Sequence, residues 1–173
     1  MTAGYPSRLA KTGLALGQAY FGTGQLDQAA MVLAESISSA STSDLTSELN
    51  LALGTLAEAQ RYREDWAAME GARQEQDAYV TGDDERSRFL FEKAMDEHAR
   101  SGVGSATVDR LLSQSRRLAL TTGRDELASR AFLQQCLNKP DSGCTAVSVD
   151  RAFKAVQMSA SPREIIQARF ARA

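Results

Sequence analysis

Residues 14–37 read LALGQAYFGTGQLDQAAMVLAESI. Within this stretch Leu16, Gly17, Tyr20, Gly24 and Ala29 fall where two short antiparallel helices need them. A residue as small as Gly17 lets two helices approach closely, and Tyr20 wedges between them. Gly24 turns the corner, because glycine alone enters left-handed backbone without a steric penalty. Ala29 packs beneath the turn. Leu26, Ala29, Ala30, Leu33 and Ile37 then recur at i, i+3, i+4 and i+7, which buries one face of the second helix. The stretch is a helical hairpin.

The rest of the chain extends the same reading. Its 173 residues are 43% hydrophobic and 24% charged, a globular rather than a disordered mixture. Three prolines and an abundance of alanine, leucine, glutamine, glutamate and arginine favour helix. Strict alternation of valine, isoleucine and threonine is missing, which argues against sheet. No run approaches the roughly 20 apolar residues of a membrane span, so no transmembrane segment is expected. MTAGYPSRLAKTG lacks a signal-peptide core. The first helix starts almost at once, as expected for a piece of a longer or processed chain, and no compartment follows from it.

Short polar or glycine-containing breaks divide the sequence into hairpins at about 7–40, 44–80, 84–121 and 125–158. SSASTSD breaks the pattern, and its Ser43 or Asp44 is expected to cap the third helix, which carries Leu45, Leu49, Ala52, Leu53 and Leu56. Trp66, Met69 and Ala72 or Arg73 mark the fourth. Asp83 or Asp84 supplies negative charge at the start of the fifth, where the helix dipole favours it. Gly123 stops the sixth. Ser161 and Glu164 frame Pro162 as a capping box, so a short ninth helix over 161–173 is expected to cap the stack with Ile165, Ile166 and Phe170.

The second helices repeat one another. Leu26-Asp27-Gln28-Ala29 is similar to Val108-Asp109-Arg110-Leu111 and Val149-Asp150-Arg151-Ala152, and more loosely to Glu64-Asp65-Trp66-Ala67. Spacings of 38, 44 and 41 residues between Ala29, Ala67, Leu111 and Ala152 indicate a solenoid of stacked hairpins. Leu16-Gly17, Tyr20, Gly24, Leu26-Asp27 and Ala29 resemble the tetratricopeptide repeat over about residues 10–40. The second hairpin keeps Leu53-Gly54 but has Ala57 in the tyrosine slot. The spacing exceeds the roughly 34 residues of the standard repeat, as in degenerate bacterial repeats.

The resemblance implies an all-α, right-handed solenoid of about four hairpins plus the cap. It also implies that the first helices line a concave groove. Carried over by position, the groove residues are Lys11, Leu14, Ala15, Gln18 and Phe21 in the first hairpin, and Glu48, Leu51, Ala52, Thr55 and Glu58 in the second. Leu14, Ala15 and Gln18 occupy the slots where chaperone-binding relatives hold a carboxylate with lysine and asparagine, so that clamp is not expected. Leu14 and Phe21 have a second reading as core residues, since apolar residues at helical spacing usually pack internally.

No catalytic constellation is visible. His98 is the only histidine. Glu92 and Asp96 share a helix face, but a hard cation wants six or more oxygens, and the pair reads as solvated. Gly102-Val103-Gly104 lacks the lysine and the strand of a phosphate loop. Trp66 reads as core. Neither a metal nor a cofactor is expected. Cys136 and Cys144 flank LNKPDSG. They are either two ordinary thiols or a disulfide in an oxidising compartment, and the disulfide would favour the periplasm over the cytoplasm.

Charge is uneven along the chain. Residues 1–100 hold 16 acids and 9 bases, whereas residues 101–173 hold 6 acids and 11 bases. That distribution is either incidental to solvated faces or the basis of head-to-tail self-association. Nucleic-acid binding is not expected, because the bases are dilute and lack interleaved aromatics. The expected function is a non-enzymatic scaffold holding a partner peptide or helix. A sensory or regulatory domain of a larger bacterial regulator and a self-associating envelope module are the alternatives.

Overall fold

The computed structural model describes residues 5–140 and 143–159. Among them are eight helices and no strand: α1 (Tyr5–Gly22), α2 (Leu26–Ser41), α3 (Thr46–Tyr62), α4 (Trp66–Asp77), α5 (Asp83–Ser101), α6 (Ala106–Thr121), α7 (Asp125–Asn138) and α8 (Ala146–Ser159). None is long and apolar enough to cross a membrane. The capping helix expected over 161–173 lies outside the described residues.

The chain divides after Val80 into two compact units. In the first, α1 packs on α2, α2 on α3, α3 on α4, and α1 also meets α3. In the second, α5 packs on α6, α6 on α7 and α7 on α8.

The α1–α2 pair shows why the opening stretch folds as it does. A Cβ placed on Gly17 would lie 2.6 Å from Leu33 Cγ, so only glycine admits the fully buried Leu33. Gly13 faces Ser36 in the same way, and the Ser36 hydroxyl donates to the Ala10 carbonyl at 2.7 Å. The pairs 10/36, 13/36 and 17/33 fix an antiparallel crossing. The device recurs in α5–α6, where Ser115 donates to the Ser87 carbonyl at 2.7 Å. In α3–α4, Gln76 reaches the Asn50 carbonyl at 3.3 Å and its side-chain oxygen at 2.9 Å.

The second helices start at Leu26, Trp66, Ala106 and Ala146, a constant spacing of 40 residues. This corrects the irregular spacing read from the sequence. Ala67 is exposed, and Met69, forty residues after Ala29, is the buried residue. The turn before α2, α4 and α6 places Gly24, Glu64 and Gly104 at φ +78°, +59° and +85°. Glu64 is thus held in left-handed backbone that costs a residue with a Cβ about 1–2 kcal/mol. Glu64→Gly is expected to raise the stability of the first unit by about 1 kcal/mol in urea titration, with an unchanged helix content.

The caps follow local chemistry. Asp65 accepts from the Ala68 amide at 3.1 Å, and Thr145 from the Ser148 amide at 3.2 Å. Neither Ser43 nor Asp44 caps α3. The cap position is Leu45, and Asp44 sits at φ +54°, outside the extended region a capping residue needs. Asp83, Asp84 and Glu85 do open α5.

Candidate functional site

The first helices of the first unit lie side by side and parallel. Ala10 shares a core cluster with Leu49 and Leu53, and Leu14 shares one with Ala52. Further toward solvent, Lys11 pairs with Glu48 at 3.6 Å. At the C-terminal ends of the two helices the Phe21 and Tyr62 rings stand 5.8 Å apart, tilted by 49°. The ascending pairs 11/48, 14/52 and 21/62 define one face, bounded by an ion pair at one end and an aromatic pair at the other.

Between these boundaries the candidate residues separate by helical phase. Gln18 and Leu51 are exposed, Leu51 by 45%. Thr55 is half-buried, and its hydroxyl donates to the Leu51 carbonyl at 2.9 Å. Glu58 is half-buried and accepts from Arg61 at 3.2 Å. Phe21 is half-buried against Tyr62. Leu14, by contrast, is 8% exposed and packs with Ala29, Leu33 and Ala52, so it supports the face from beneath. Ala52 is buried beside it.

Two residues of this face escaped the sequence reading. Tyr62 is 46% exposed, and the Arg61 guanidinium lies 5.1 Å from its ring centre. That arrangement is a cation–π contact, which favours a flat, partly solvated platform. Arg63 ties the end of α3 to Asp27 in α2 at 3.0 Å and so fixes where the platform stands. The face therefore offers apolar surface at Leu51 and Tyr62 beside hydrogen-bonding groups at Gln18, Glu58 and Lys11. It holds no histidine or cysteine.

The second unit also brings its first helices, α5 and α7, into side-chain contact. The Arg124 guanidinium binds both oxygens of Asp84, which raises its pKa above the ordinary value. Arg130 lies 4.9 Å over Phe91, and the Gln134 amide meets Met95 Sδ at 3.1 Å. Arg116 covers Phe132 at 4.7 Å. Each of these pairs joins α7, or its N-cap residue Arg124, to α5 or α6.

The other candidates fall as follows. Asp96 is 3% exposed, which corrects its reading as a solvated partner of Glu92; α5 buries Phe89 and Asp96 on one side and Ser87, Phe91 and Ala94 on the other. Glu92 pairs with Arg88 at 3.4 Å. His98 is half-buried, and its Nδ1 has no hydrogen-bond partner among the described residues. No trio of histidine, cysteine, aspartate or glutamate among the described residues is placed to hold a metal ion. Trp66 packs at the edge of the Ala57, Met69 and Ala72 cluster. Arg73 occupies a core position in α4 with 4% exposure and donates to Gln76 at 2.8 Å.

The Cys136 and Cys144 sulfur atoms stand at bonding distance, 2.06 Å, with Cα atoms 5.6 Å apart. Two residues beyond Cys136, Asn138 organises the turn before α6. The Gly104 amide donates to both Asn138 oxygens at 3.0 Å, and the Asn138 amide donates to the Ser105 carbonyl at 3.0 Å. Comparison with family models, curated proteins and solved structures returns no match to the chain.

Proposed function

We propose that this chain is a non-enzymatic scaffold that holds a peptide or helix of a partner protein on the α1–α3 face. The observation that carries the reading is that face itself, where exposed Leu51 lies between the Lys11–Glu48 pair and the Phe21–Tyr62 pair, and Tyr62 within the second pair is itself exposed. Its polar groups are spaced along two parallel helices, which suits an elongated ligand with alternating apolar and polar side chains. The constant 40-residue spacing of the second helices supports a tetratricopeptide-like, right-handed solenoid of about four hairpins, with 161–173 as its cap. The sulfur pair at Cys136 and Cys144 supports the periplasmic alternative for its compartment.

Affinity capture from native lysate tests this reading when run with the wild-type chain and with a Gln18→Glu/Leu51→Glu variant. Both positions are exposed, so helix content is expected to stay unchanged. At least a tenfold loss of the captured partner is expected, equivalent to about 1.4 kcal/mol of binding. Retention of every partner would overturn the assignment of the face.

A further inference from the structure

A second apolar surface lies on the side of the first hairpin away from its core. Tyr5, Leu9, Thr12, Leu16 and Ala19 follow one another along α1 at steps of 4, 3, 4 and 3. All five are exposed, Tyr5 by 66%, Leu9 by 45% and Leu16 by 43%. At 100° per residue they form a row opposite Ala10, Leu14 and Gly17, the residues that α1 buries. Steps of 4 and 3 keep a row facing another helix along its length, which is the geometry of a helix–helix seam. On α2, Met31 is 60% exposed, opposite the buried Ala29, Leu33, Ser36 and Ala40.

Charge identifies what covers this surface. The charged residues of α1 are Arg8 and Lys11, both basic, and those of α2 are Asp27 and Glu35, both acidic. Lys11 is paired with Glu48 and Asp27 with Arg63; Arg8 and Glu35, both exposed, are the remaining charges of the two helices. A surface with one basic and one acidic helix complements itself when rotated by a two-fold axis running along the hairpin. That axis places α1 of each copy over α2 of the other and brings unlike charges within a Debye length of about 8–10 Å. We propose that the chain forms a two-fold dimer through this surface, α1 of one copy crossing over α2 of the second. The α1–α3 face stays free in that arrangement, so the proposal stands apart from peptide binding.

Sedimentation equilibrium on the whole chain tests it. A concentration-dependent species of twice the 18.7 kDa chain mass is expected. Leu9→Glu/Leu16→Glu should raise the dissociation constant at least tenfold without loss of helical circular dichroism, and Leu51→Glu should leave it unchanged. The helix pairing is read by a short bismaleimide linker, to which bonded Cys136 and Cys144 are inert. A Leu16→Cys chain mixed with a Met31→Cys chain should crosslink to it, and Leu16→Cys alone should not. A monomer at every concentration would overturn the proposal. So would a dimer indifferent to Leu9→Glu/Leu16→Glu, or one crosslinked through Leu16→Cys alone.

Discussion

Gly17→Val is expected to remove about 3 kcal/mol from the first unit, a large part of the stability such a unit possesses. The added Cβ alone would lie 2.6 Å from Leu33 Cγ and 2.7 Å from Leu33 Cδ2. Leu33 has no exposed surface and sits in a cluster with Leu14, Ala29 and Ala52, so it has no room to move aside. The helices must part instead, which lengthens the Ser36–Ala10 hydrogen bond and opens the packing that α3 shares. Gly71→Ala in α4 is the matched control, since nothing lies within 4 Å of a Cβ there. It should gain up to about 1 kcal/mol from helix propensity. Urea midpoints of the two variants separate close packing from glycine content; equal midpoints would sink the close-approach argument.

Cys136→Ser/Cys144→Ser is expected to cost the second unit about 2–3 kcal/mol, the loop-closure value for a short crosslink. The sequence separation is 8 residues and the Cα atoms already stand 5.6 Å apart, so the bond asks little of the native backbone. The loss should be accompanied by faster amide exchange at Gly104, because Asn138 lies two residues from Cys136 and accepts from that amide. Dithiothreitol should reproduce both effects in the wild-type chain. A midpoint that ignores the reductant would mean that the bond does not form in solution.

The all-helical class was legible because period and punctuation agree. Ala29, Leu33 and Ile37 mark a face, and Gly24 and Gly123 end helices in left-handed backbone at φ +78° and +71°. The repeat register was less legible because the feature the second helices most visibly share is an aspartate near the helix start. An aspartate in the first turn of a helix is stabilised by the dipole wherever in that turn it stands, so Asp27 and Asp109 do not fix the register. The positive-φ residues do, and they keep a spacing of 40 residues from Gly24 to Glu64 to Gly104.

Half of the residues on the α1–α3 face were legible for a related reason. Helical phase places Lys11, Gln18, Leu51 and Glu58 on the outer arc. It does not say how far α3 covers α1, which is what buries Leu14 and leaves Tyr62 exposed. Asp96 shows the same limit: α5 buries two opposite sides, and a single apolar stripe cannot announce that.

The most direct test of peptide holding is amide chemical-shift mapping of the isotopically labelled chain against the segment of its captured partner. The largest shifts are expected at Gln18, Leu51, Thr55 and Tyr62, with Leu9 and Leu16 unmoved. Shifts gathered in residues 81–159, or spread over the outer side of α1, would contradict the account.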